Sequence, residues 1–221
     1  SGNGSSSSHK SHFQLVVTSS GLIRFDYDAT AGHSLSSPTD IVNSDTWNHT
    51  AIQRNSTSGT QTMEIYHNGT RVASTTSNAS FDMNNTEGVT LGRESTGSSW
   101  WKGWISDFRF YNGVAKYQKD FIPGTFGRQT TVIGPSITRD CPSGEASFAF
   151  PNPVGGAVMF NDQAGSYLSM STDDDLEFGT GDFSIECWFM TNQLGEQQHI
   201  YEGRKTGNTN RVLMYIILKW S

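Results

Sequence analysis

The sequence predicts an all-β chain folded as an antiparallel β-sandwich, and three observations carry that prediction. Apolar and polar residues alternate with a period of two from end to end, in runs the length of short strands. Turn signals separate the runs, the strongest being Asn68-Gly69 between two alternating segments. Hydrophobic residues make up 34% and charged residues 16% of the 221 residues, with 23 Gly, 29 Ser and 23 Thr filling the balance. Aromatics still reach 12%, including 6 Trp and 13 Phe. Chains that cannot fold are poor in aromatics, so most of this one builds a packed, aromatic core.

The elements follow in order. Residues 13–17 alternate, Ser19-Ser20-Gly21 turns, and residues 22–27 return, which reads as a β-hairpin. Residues 47–54 form a further strand. Residues 62–66 and 71–74 flank the turn at 67–70 as a second hairpin. Strands at 89–92 and 103–111 come next, and residues 114–120 are the one stretch suited to a helical turn. Gly, Pro and Thr then break the pattern from about 127 to 150. It resumes at 158–160, 167–170 and 183–189 and ends in the apolar run 212–218. On the apolar phases of these strands, Trp47, Ile65, Leu91, Ile105 and Phe108 are expected between the sheets. Trp101 and Trp104 are expected in the core, and Trp100 at the surface.

Charge and length exclude some functions. The net charge is −6 with pI about 5.4 and no basic stripe, which disfavours nucleic acid. The longest apolar run, 212–218, is far short of the roughly 20 residues of a membrane-spanning helix, so no membrane insertion is expected. The Gly/Ser tract at 1–8 reads as a linker. An apolar strand at a free C-terminus leaves a pairing edge open, so the chain is expected to be cut from something longer. Cys187 shares a strand face with Phe183, Ile185 and Phe189 and reads as a small buried hydrophobe, and a Cys141–Cys187 disulfide stays open. No Cys/His spacing suits zinc.

The run 167–189 resembles the opening of a laminin G-like, concanavalin A-like jelly roll: Tyr167-Leu168, the acidic loop at 173–175, Phe178-Gly179, Gly181-Asp182-Phe183, then Ile185-Glu186-Cys187-Trp188. The first block resembles the closing half of that family, in Trp47-Asn48-His49, Glu64-Ile65-Tyr66-His67-Asn68-Gly69, Thr90-Leu91-Gly92, Gly103-Trp104-Ile105-Ser106-Asp107-Phe108-Arg109 and the tail at 112–123. That tail is similar to the ending of modules from phage virion and marine bacterial surface proteins. The resemblance implies a jelly roll whose halves stand in reversed order: a closing half at 1–127, a linker at 128–150 and an opening half at 151–221. A slice through tandem domains and a single permuted domain both satisfy that order.

Chemistry-bearing candidates are few. Glycoside hydrolases of this fold use paired carboxylates on one strand face. The pairs available, Asp26 with Asp28 and Glu186 with Asp182, lack that pattern and read as solvated strand carboxylates. No nucleophile elbow accompanies His49 or His67, so the chain is not expected to be an enzyme. Asp173, Asp174 and Asp175 cluster hard oxygens as Ca²⁺ prefers, and laminin G-like domains hold Ca²⁺ with loop oxygens, which makes Ca²⁺ the one cofactor considered. Trp100 is the candidate for stacking on a sugar ring. Sequons stand at Asn3, Asn48, Asn55, Asn68, Asn78 and Asn84, of which Asn68, at a hairpin tip, is the best placed for a glycan. The expected function is a non-catalytic structural module, extracellular, on a cell surface or on a virion surface. Its partners would be copies of itself, head-to-tail, or neighbouring repeats, with glycans as ligands. In the filament arrangement the 212–218 strand pairs beside the strand at 13–17. The alternative is the carbohydrate-binding domain of a secreted adhesin or enzyme.

Overall fold

The computed structural model describes residues 13–27, 33–56, 60–77, 89–93, 99–124, 157–161, 163, 166–170 and 178–203. These form twelve strands: β1 (Phe13–Val17), β2 (Ile23–Tyr27), β3 (Ser34–Ser36), β4 (Asn48–Asn55), β5 (Thr62–His67), β6 (Thr70–Thr76), β7 (Val89–Leu91), β8 (Lys102–Asn112), β9 (Ala157–Asn161), β10 (Leu168–Met170), β11 (Phe183–Thr191) and β12 (Gln198–Gly203). Two six-stranded antiparallel sheets result, a first with the order β10-β7-β12-β1-β2-β3 and a second with the order β6-β5-β4-β11-β8-β9. The chain is an all-β sandwich of the jelly-roll kind.

Both predicted hairpins form. Residues β1 and β2 pair from Phe13↔Tyr27 to Val17↔Ile23, with Gly21 at φ 62° in the turn. In the β5–β6 turn Asn68 and Gly69 both have positive φ, 49° and 84°, as a tight turn matching the strand twist requires. Strands from both sides of the break share each sheet. β11 lies between β4 and β8, and β12 between β7 and β1. With β12 on one side and β2 on the other along its whole length, β1 has no edge left for the 212–218 run, which itself lies outside the described residues. That expected pairing is therefore corrected.

The core lies between the inward phases of the two sheets. Leu15, Phe25 and Tyr201 from the first sheet meet Ile52, Ile65, Ile105, Phe110, Phe183, Ile185, Cys187 and Phe189 from the second. Among the expected core residues Ile65 and Ile105 are fully buried, and Leu91 and Phe108 are half-buried against the cluster. Trp47 is half-buried outside it. The phase explains this: Ile52 faces inward across from Ile185, so the even-numbered residues of β4 are inward and Trp47 is on the other phase. Trp101 is buried in the core. Trp104 is buried too, but it pairs with Met190 on the outward phase and so lies outside the sheet rather than between sheets. No helix forms at 114–120. Those residues are irregular and run as a strap across the outer face of the second sheet.

Candidate functional site

The strap exists because the outward phase of the second sheet is polar but not left to water. Ser184 and Glu186 of β11, Gln53 and His49 of β4, Glu64 and Tyr66 of β5, and Tyr111 and Arg109 of β8 sit side by side on that face. Residues 113–124 cover them by pairing with side chains in place of a strand. Tyr117 N–H donates to Gln53 Oε1 at 2.9 Å and Gln53 Nε2 donates back to Tyr117 O at 2.5 Å. Lys116 N–H donates to Ser184 Oγ at 2.9 Å, whose hydroxyl donates to Val114 O at 2.8 Å. Phe121 N–H donates to Gly69 O at 2.9 Å. A Cβ on Gly69 would collide with Phe121 O, so this glycine serves both the turn and the docking of the strap. The Phe121 ring stacks on Tyr117 with centroids 3.6 Å apart and packs against His49 and Tyr66.

Glu186 is the centre of this covered face, with a side chain only 4% exposed. Lys116 Nζ and Tyr117 OH both donate to its carboxylate, Tyr111 OH donates at 3.1 Å, and Arg109 and His49 each stand 3.8 Å away. Burial alone would push the Glu186 carboxyl up, but Lys116, Tyr117 and His49 outweigh it and hold it below the usual range. Burial pushes His49 the other way, down to about 4, despite the neighbouring carboxylate. Glu64 is likewise saturated, by Gln53 Nε2 at 2.6 Å, Tyr66 OH at 3.2 Å and Arg71 Nη1 at 2.7 Å. The expectation of a solvated Glu186 is corrected: the strap removes water and supplies cations and hydroxyls in its place. Asp182 stands apart, accepting from Ser56 Oγ at 2.6 Å.

The outer face of the first sheet carries a second polar row. His199 Nε2 accepts from Gln14 Nε2 at 3.0 Å and from Gln197 Nε2 at 2.9 Å. Arg24 bridges the row, donating to Gln197 Oε1 at 3.2 Å and to Asp26 Oδ2 at 2.9 Å. Burial raises the Asp26 carboxyl against the pull of Arg24 and drives His199 well down. Asp26 is therefore a paired carboxylate with a mostly covered side chain rather than a solvated one, and its predicted companion Asp28 lies outside the described residues.

The third cluster surrounds Trp100, which is half-buried rather than fully exposed. An antiparallel bridge sets Trp100 opposite Arg93, just beyond the edge-side strand β7. Side chains so opposed leave one face of the ladder with Cβ atoms about 4.5–5.5 Å apart. The Arg93 guanidinium lies over the Tyr167 ring, 3.4 Å from its centroid. Trp101, next in the chain, turns into the core and packs edge-on against Phe189.

The remaining expectations fall as follows. Asn48 is buried, its amide donating to Asn43 O at 3.3 Å and Thr46 O at 2.9 Å while its Oδ1 meets His67 Nε2 at 3.0 Å. A glycan there would have to break these bonds, so Asn48 is corrected from a glycosylation candidate to a structural residue. Asn68 is exposed, with its Oδ1 accepting from His49 N–H at 2.8 Å. Asn55 is half-buried and donates to Gln118 Oε1 at 3.2 Å. Cys187 is a buried free thiol, and Cys141, its partner in the open disulfide, lies outside the described residues. Asn3, Asn78, Asn84, Cys141, Asp173, Asp174 and Asp175 lie outside the described residues. Among the described residues no three His, Cys, Asp or Glu side chains stand together as metal ligands.

Two polar-faced antiparallel sheets over an aromatic core, one face strapped by its own chain, define a laminin G-like sandwich. The model of the concanavalin A-like lectin/glucanases superfamily, in its laminin G form, matches residues 1–118, and the chain belongs to that family. No curated protein and no solved structure matches it. The family comprises carbohydrate-binding and structural modules.

Proposed function

We propose that the chain is a non-catalytic, extracellular or surface-borne recognition module that holds a glycan at Trp100. The observation that carries this reading is the separation of the three neighbouring tryptophans. Trp101 and Trp104 are buried, while Trp100 is only half-buried and lies beside a stacked Arg–Tyr pair. An indole that is not fully buried can offer a flat apolar plate to the C–H face of a pyranose. The state of the carboxylates supports the non-catalytic part. General acid catalysis needs a carboxyl raised toward neutrality and open to substrate. Glu186 is held ionised under the strap, and Asp26 is paired with Arg24. The test is an array of neutral and acidic oligosaccharides probed with the wild type and Trp100→Ala, together with an assay for released reducing ends. Binding that disappears in Trp100→Ala, without turnover in either protein, supports the reading. Turnover by the wild type overturns the non-catalytic part, and glycan binding that survives in Trp100→Ala overturns the site.

A second reading rests on the way strands of the two segments alternate. Because β11 and β12 insert between strands of the first segment, the same pairings can be made by the 157–203 segment of a neighbouring copy, giving a head-to-tail assembly. Light scattering after size exclusion decides it: a monodisperse monomer across a hundredfold concentration range excludes the exchanged form.

A further inference from the structure

We propose that Arg93, Tyr167 and Trp100 form a subsite for a sugar bearing a carboxylate. The inference rests on the glycan reading above and names the class of glycan.

Arg93 differs from the other described arginines. Arg24 pairs with Asp26, Arg71 with Glu64 and Arg109 with Asp107, each within 3 Å, and Arg54 donates to the backbone carbonyls of Gly179 and Gly181. Among the described residues Arg93 has no carboxylate within ion-pair distance, and its Nε is buried without a hydrogen-bond partner. A guanidinium stays charged at any relevant pH, so this demand for an acceptor is permanent. A buried N–H left without an acceptor is destabilising, and an acceptor that reaches it relieves that cost.

The geometry also orients the group. With its Cζ 3.4 Å from the Tyr167 ring centroid, the guanidinium has one side covered by the ring, and its remaining N–H groups are left to receive a ligand. A planar carboxylate matches that edge with two parallel hydrogen bonds. Trp100, across the bridge, supplies an apolar plate on the same face of the ladder. Charge and plate are thus neighbours, as a single sugar ring carrying a carboxylate requires. Charge argues against a polyanion: the net charge is −6, and a single unpaired arginine among the described residues releases too few counterions to hold a polysulfated chain.

The test uses a paired array in which uronate- and sialate-bearing oligosaccharides are printed beside their carboxyl-reduced counterparts, with sulfated sugars as a third set. The proteins are the full chain, Arg93→Gln, Arg93→Lys and Trp100→Ala, each first shown to melt as the wild type does. The expected result is at least tenfold tighter wild-type binding to the acidic member of a pair. Arg93→Gln should erase that preference while still binding the reduced member, and Arg93→Lys should keep part of it. Equal binding to both members overturns the carboxylate subsite and leaves the glycan reading standing. A preference for sulfated sugars also overturns it. Binding to no sugar at all overturns both readings.

Discussion

The strapped face of the second sheet and the Trp100 corner are both built from arginines, tyrosines and tryptophans, yet they treat charge in opposite ways. Around Glu186 every charge is met from inside the chain: Lys116, Tyr111, Tyr117, Arg109 and His49 converge on one carboxylate, and residues 113–124 keep water out. Around Arg93 the charge is stacked on a ring but is met by no described carboxylate. A saturated network uses its hydrogen-bonding capacity to fix one arrangement of the chain, so it has none left for a ligand. An unsaturated group keeps that capacity. On the reading proposed above, the first region serves folding and the second recognition, and both roles can be broken by substitution.

The largest effect is expected at Glu186. Glu186→Gln keeps the volume but leaves Lys116 and Arg109 facing a neutral amide in a covered site. Removing one partner of a buried charge cluster typically costs about 3–5 kcal/mol. Denaturant unfolding should show that loss, and Lys116→Met combined with Glu186→Gln should cost less than the sum of the two single changes. Additive losses would mean that the cluster is not a unit. Trp104→Ala, at a buried position on the same outward face, belongs to the same class, at roughly 3–5 kcal/mol.

Acid is expected to act next most strongly. His49 and His67 are both held at about 4 by burial, against an ordinary value of 6.5. Above pH 6.5 they are neutral whether the chain is folded or not. As pH falls from 6.5 toward 4 the unfolded chain takes up their protons and the folded chain does not, so stability is lost across that window. For the almost fully buried His49 alone the loss reaches about 3 kcal/mol. Glu186, held below its ordinary value, contributes stability that is present above pH 4.5 and is lost at lower pH, in the same direction. Asp26 acts oppositely, since its carboxyl is raised and protonates more readily in the folded state. Melting temperatures between pH 7 and 4 should therefore fall, and the His49→Asn variant should flatten the upper part of that curve.

Much of the fold was legible in the residues themselves. Asn68-Gly69, the alternation at 13–27 and the Phe183-to-Phe189 phase each specify a local structure that the sheets then keep. β12 was not legible: Gln198-His199-Ile200-Tyr201-Glu202 reads as polar, because Gln14, Gln197 and Arg24 satisfy its outward side chains only once β1 and β2 lie alongside. Trp47 was assigned to the wrong phase, since one large aromatic outweighed the Asn48-to-Ile52 register set by pairing with β11. The two sites were harder still. Lys116 and Tyr117 reach Glu186 across about 70 positions, and Arg93 reaches Tyr167 across 74. No spacing rule links residues that meet only through sheet order. Trp100 could be singled out because its signal was local, a tryptophan beside two others.

Gly69→Ala gives a smaller, more selective effect. At φ 84° an alanine is strained by roughly 1–3 kcal/mol, and its Cβ would collide with Phe121 O. The strap should then lift near Phe121 while the β5–β6 pairing persists. Hydrogen exchange is expected to rise at Tyr117 and Phe121 and to stay slow at Ile52 and Ile65. Uniformly faster exchange would make the strap and the sheet one cooperative unit.

The smallest effect on stability is expected where the effect on binding is expected to be largest. Trp100 packs less completely than Trp101 or Trp104, and Arg93 donates no ion pair to any described residue. Trp100→Ala and Arg93→Gln therefore remove little that the folded chain uses, and each should shift stability by about 0.5 kcal/mol or less, in the range of ordinary surface substitutions. Arg93→Gln also relieves an unpaired buried N–H, which works against the loss of its contact with Tyr167. Tyr167→Leu separates these two terms: it keeps an apolar floor beneath Arg93 but removes the ring on which the guanidinium stacks. If the corner serves recognition, Tyr167→Leu should leave the unfolding midpoint near the wild-type value and weaken binding to carboxylate sugars more than to their reduced counterparts. If the Arg93–Tyr167 stack instead fastens β10 to β7, Tyr167→Leu and Arg93→Gln should each cost well over 1 kcal/mol and affect both sugars alike, and the contrast with the Glu186 face would disappear.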